Sequence, residues 1–88
     1  MKQVPLKQGE TMLYAVAQRR AGALTLLTWK KDRSVSVSAS ETEITLVESG
    51  YEHLEKTFTS PHDLKPALRE ACRREFPRSN RLYVAQDT

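Results

Sequence analysis

One cysteine among 88 residues, three isolated glycines and no long apolar run exclude more chemistry than the remaining residues specify. The lone Cys72 cannot form a disulfide within the chain, and such sparing use of thiols fits a reducing compartment. Zinc and other transition-metal sites want three or four ligands, and a single cysteine with His53 and His62 nine residues apart is not a paired ligand set. Phosphate-binding loops need clustered glycines, whereas Gly9, Gly22 and Gly50 stand far apart. Nowhere do about 18 apolar residues run together, and the amino-terminal residues lack the roughly 7–15 apolar positions of a secretory signal, so a cytoplasmic protein without membrane or cofactor is expected.

Catalytic groups are as sparse. A nucleophilic cysteine needs an accessible, electropositive setting beside a base. Cys72 instead follows Leu68 by one helical turn in an apolar stripe and reads as a packed core thiol. His53 and His62 have no serine, cysteine or acid partner in a recognisable motif, which leaves them as surface or turn histidines. Glu41 with Glu43, and Glu52 with Glu55, are paired carboxylates in polar turns or on weak strands, where acids serve solubility. No enzymatic activity is expected.

What is present suits a single small domain over 1–88. A chain of this size buries about 60–65% of its unfolded surface, enough for a core without staples. Its 39% hydrophobic and 28% charged residues fall in the ordinary globular range. The net charge of +3 hides a division along the chain: seven Lys or Arg face two acids over 1–33, one faces five over 34–60, and six face four over 61–88. Acidic strands between basic helices can neutralise them within the fold or present opposite charges on different surfaces.

Leu13, Val16, Ala17 and Ala21 recur at helical spacing and predict a helix over 10–21, with Gly22 as a left-handed cap and 1–9 as an extended arm. A strand over 12–18 competes, because Tyr14 and Val16 are good strand formers, but three alanines and the terminal glycine favour the helix. Residues 23–31 are apolar and threonine-rich, and 34–40 alternate serine with Val35, Val37 and Ala39 in period two. After a turn at 41–43, Ile44 and Leu46 resume the alternation, and 51–59 form a weaker strand. Connections this short make neighbouring strands antiparallel.

The second helix has the fullest set of signals. Ser60 caps it, Pro61 suits its first position, and Asp63 places an anion in the first turn. Leu64, Ala67, Leu68, Ala71, Cys72 and Phe76 make one apolar stripe. Pro66 removes a backbone hydrogen bond unless Asp63 is the true cap. Pro77 ends the helix, and 81–85 form a final strand with Leu82 and Val84 on one face. The expected fold is α+β, a mostly antiparallel β-meander with helices packed on one face in the order α-β-β-β-β-α-β, the last strand parallel to a neighbour if the helix is its crossover.

Two functional readings follow. The first is a small non-enzymatic interaction or assembly module, binding a protein partner or a second copy as a homodimer. If helices cover one sheet face, the other carries Ser34, Ser36, Ser38 and Ser40, with either Leu27 and Trp29 or Leu24 and Leu26. Leu27 and Trp29 are the candidate protein interface, unless the amino-terminal arm or first helix covers that patch. The alternative is a nucleic-acid-binding module using a basic helix face. Lys65, Arg69 and Arg73 fall at i, i+4 and i+8, and Arg78 and Arg81 continue the charge past the helix end. Glu70 and Arg74 at i and i+4 read as a solvated pair, and Trp29 and Tyr83 are the aromatics that stacking would need.

Overall fold

The computed structural model describes residues 2–28, 30, 32–50, 53–77 and 81–87. In chain order the elements are β1 (Lys2–Pro5), α1 (Leu6–Arg19), β2 (Gly22–Leu27), β3 (Ser34–Ala39), β4 (Ile44–Ser49), β5 (His53–Phe58), α2 (Pro61–Glu75) and β6 (Arg81–Asp87). Strands β2 to β5 form the expected antiparallel meander, and the fold is α+β. The β3–β4 turn is held by Ser40, whose hydroxyl accepts from the backbone N–H of Glu43 at 3.2 Å. At the end of β2 the Thr28 hydroxyl donates to Asp32 at 2.8 Å, a bond that holds this carboxyl below its ordinary value.

Both chain ends depart from expectation. Residues 1–9 are not an extended arm: Lys2–Pro5 pairs with β6 as an edge strand, and α1 begins at Leu6. Gly9 argues against a helix by propensity, yet its missing side chain lets α1 settle on the sheet, since a Cβ there would lie 2.9 Å from Leu26 Cδ1. The left-handed cap falls on Arg20 (φ 54°), whose N–H reaches the carbonyls of Val16 and Ala17 at 3.0 and 3.2 Å. Gly22, also at positive φ, opens β2. The last strand is not parallel to a neighbour. The sheet order is β1-β6-β2-β3-β4-β5, and β6 is antiparallel to both β1 and β2. α2 carries the chain from one sheet edge past β4, β3 and β2, and β6 enters between two strands that both run against it.

At α2, Ser60 is the cap: its hydroxyl accepts from His62 N–H at 3.2 Å. Pro66 therefore sits inside the helix, and the bond it forgoes is the one to the exposed His62 turn. No helix among the described residues is long and apolar enough to cross a membrane.

Register decides which side is buried. Leu24 pairs with Val37 and Val37 with Leu46, and Leu26 pairs with Val35 and with Val84, so these side chains share one face. All are buried, together with Leu13, Val16 and Ala17 of α1 and Leu64, Leu68, Ala71 and Cys72 of α2. Phe76, immediately after α2, is buried in the same layer. Each fully buried Leu or Phe contributes about 1.5–3 kcal/mol.

Two glutamates lie inside this apolar layer. Glu48 pairs across the sheet with Val35 and Leu54 and thus faces the helices, 1% exposed, and Glu75 at the end of α2 is 0% exposed. Arg74 does not pair with Glu70 as expected. Its Nε and Nη2 donate to the two oxygens of Glu48 at 2.9 and 2.7 Å, a bidentate ion pair. Burial pushes Glu48 up, but the bonds from Arg74 and Glu75 and the charges of Arg74 and Lys56 outweigh it and hold the carboxyl below its ordinary value. A hydrogen bond between two carboxyls needs one proton, and Arg74 makes Glu48 the ionised member. Gly50, at φ 142°, lets the chain pass this pair, because a Cβ there would lie 2.7 Å from Glu75 Oε1 and 3.0 Å from Arg33 Cα.

Removing one partner of the ion pair strands a buried charge. Arg74→Ala should lower unfolding free energy by about 2–3 kcal/mol in urea titrations, somewhat less than for a pair buried at both ends. Glu48 is depressed in the folded chain, so its stabilisation is present above the unfolded-state pKa and lost as pH falls through the folded value. The melting temperature should fall as the pH drops below about 5, and fall less in Glu48→Gln. Gly50→Ala should cost about 1–3 kcal/mol by the same titration, from backbone strain and the displaced carboxyl.

Candidate functional site

The helices lie antiparallel on the covered face. Arg20 after α1 donates through Nη2 to the Thr59 carbonyl just before α2, at 2.7 Å, while the Glu10 charge acts on Cys72 late in α2. Between them runs an open cleft of about 310 Å³, lined by Lys7, Glu10, Thr11 and Tyr14 of α1 and by Lys65, Leu68 and Arg69 of α2. Leu68 is the buried floor, and the rims are cationic. Lys65 Nζ stands 5.5 Å from the centre of the Tyr14 ring, a cation–π contact that holds the ring at one end. The Thr11 hydroxyl is turned into its own helix, donating to the Lys7 carbonyl at 3.0 Å. Among the described residues no ion pair engages Lys7, Lys65, Arg69 or Arg73.

The structure divides the expected basic row. Lys65, Arg69 and Arg73 are all exposed along α2, and the first two line the cleft. Arg81 does not join them: Leu82 and Val84 are buried under the helices, so Arg81 and Tyr83 belong to the opposite sheet face. Arg78 lies outside the described residues. Lys7 and Tyr14, on the α1 side of the cleft, are not visible from the spacing of α2. Tyr14 and Lys7 lie a whole number of turns apart, two at about 3.6 residues each, which is the signal that puts both on one helix side.

No described element covers the other face of the sheet. Neither the amino-terminal strand nor α1 lies on it, since both belong to the edge and the covered face. β3 turns Ser34, Ser36 and Ser38 outward, and β4 Thr45, Val47 and Ser49. β2 contributes Ala23, Thr25 and Leu27, and β6 adds Tyr83 and Ala85. Leu27 stands directly opposite Tyr83, half-buried, and Leu24 and Leu26 are the pair turned into the core. Trp29 lies outside the described residues. Among the described side chains charge returns at the margins of this face, with Glu55 and His53 on β5 and Arg81 at the start of β6.

Cys72 belongs to the core. Burial, then the charges of Glu10 and Glu48, pushes its thiol up to about 12, so no thiolate is present at neutral pH. Folded protein at pH 8 should react with a disulfide reagent far more slowly than protein in urea; equal rates would place the thiol at the surface. No protein-family model, curated protein or solved structure matches this chain, so the cleft and the open sheet face carry the functional argument.

Proposed function

We propose that this chain is a small non-enzymatic assembly module that pairs with a second copy of itself, open sheet face against open sheet face. One observation carries the reading: the central strands β2, β3 and β4 turn an uncharged surface outward in a protein with 28% charged residues, and no described element lies over it. The sheet edges favour the face over strand addition as the joining surface. β1 has four residues and ends on Pro5, while β5 carries Glu55 and Lys56, both features that discourage edge pairing.

Six strands at about 4.8 Å and six residues at about 3.4 Å span a face of roughly 600 Å². Two such faces remove about 1,200 Å², at the lower limit for a specific pair. Short Ser, Thr and Ala side chains let two sheets approach to about 10 Å, and hydroxyls both donate and accept, so each can find a partner across the interface. Leu27, Val47 and Tyr83 supply the apolar contact. The buried Cys72 is not available as a nucleophile.

Light scattering across 5–500 µM should give a mass twice the chain's at the upper end. Ser36→Arg or Val47→Lys, each in the middle of the face, should weaken association at least tenfold with little loss of stability, while Arg69→Glu on the helix side leaves it unchanged. A monomer throughout, or a dimer indifferent to Ser36→Arg, rejects this reading; capture of a different protein by the same face would replace the second copy with a heterologous partner.

A further inference from the structure

We propose that the cleft between α1 and α2 binds single-stranded nucleic acid, one base resting against Tyr14 while neighbouring phosphates engage Lys7, Lys65 and Arg69. The cleft has the parts such a ligand needs. Its space of about 310 Å³ admits a nucleotide unit, its floor at Leu68 is apolar, and Tyr14 is the aromatic wall. Three cations line it without an ion-pair partner among the described residues, and Lys65, which stands over the Tyr14 ring, moves from the ring to a phosphate when a base takes its place.

Glu10, the one acid in the lining, accepts hydrogen bonds and can take the amino group of a base that has left its stack. A free anion would meet only the rim. The charged row continues outside the cleft to Arg73, each step along α2 rising about 6 Å, so a chain of phosphates can follow the helix beyond the bound base. This extension favours a strand over a single nucleotide. A duplex keeps its bases stacked and cannot use Tyr14. The cleft lies on the helix side, so its affinity is read independently of self-association through the sheet, and a face-to-face pair would present two such clefts outward.

The test is fluorescence anisotropy of a labelled mixed-sequence 12-mer, as RNA and as DNA, with the full chain. Three phosphate contacts give a salt slope of about −2 for a single strand, so affinity should fall about 20-fold between 50 and 200 mM salt. Lys7→Glu and Arg69→Glu should each lose at least tenfold. Tyr14→Ala should lose about fivefold or more, with Tyr14→Phe restoring the binding. Arg81→Glu makes the same charge change on the opposite face and should stay within twofold. Circular dichroism of each variant confirms that the fold is kept. Absence of binding at 50 mM salt overturns the proposal, as does an equal loss in Arg81→Glu or no loss in Tyr14→Ala. Displacement by adenosine monophosphate at the oligomer's own concentration would make a free nucleotide the ligand, and equal affinity for a polyglutamate peptide would make it an acidic protein; either result overturns the strand.

Discussion

The insertion of β6 between β1 and β2 is the constraint on which the rest of the molecule depends. β1 has β6 as its neighbour in the sheet, so the last strand ties the first to the meander. β1 and β2 run the same way with an antiparallel strand between them, and α1 must cross that strand to join them. α2 must cross the sheet in the other direction to deliver β6 from the β5 edge. Both crossings use the same face. A one-sided core, a cleft between antiparallel helices and an uncovered sheet face all follow from that.

Inside the core the fold accepts a cost that apolar residues would avoid. Glu48 and Glu75 occupy inward positions of β4 and α2 and share a hydrogen bond, with Arg74 reaching in from a partly exposed position to fix the charge. Taking carboxyls out of water is unfavourable, and the bidentate guanidinium offsets the loss only while its geometry holds. The arrangement joins the end of α2 to the sheet where Gly50 leaves room for it. Using Arg74 in this way also removes it from the surface charge of α2 and leaves Lys65, Arg69 and Arg73 as the exposed row.

Most strands and both helices were legible because local signals agreed. Ser34 to Ala39 alternate strictly, Ser60 and Pro61 announce a helix, and Pro77 closes it. β1 was not legible, since four residues containing a lysine and a proline carry no periodicity of their own and are held extended by β6. The inward glutamates were within reach: alternation from Ile44 and Leu46 points position 48 inward, and spacing from Leu68, Ala71 and Cys72 does the same for position 75. Their charge argued against burial, and the residue that overrides it, Arg74, had a plausible partner four residues away in Glu70. Of the cleft, the α2 side is read within one helix, whereas the α1 side is lost once residues 1–9 are taken as an extended arm.

Sequence alone determined the element types from α1 onward, the apolar stripes and the antiparallel meander, because these rest on periods of two and 3.6 residues and on turns too short to allow another connection. It also determined that Cys72 lies in an apolar stripe. Tertiary structure decided that β6 enters between β1 and β2, that Arg81 faces away from the helix row, that Leu27 and not Leu24 lies on the open side, and that Tyr14 and Lys7 meet Lys65 and Arg69. Each of these is a contact between residues distant along the chain. Periodicity says which residues share a face, but only the packing of one element on another says which faces meet.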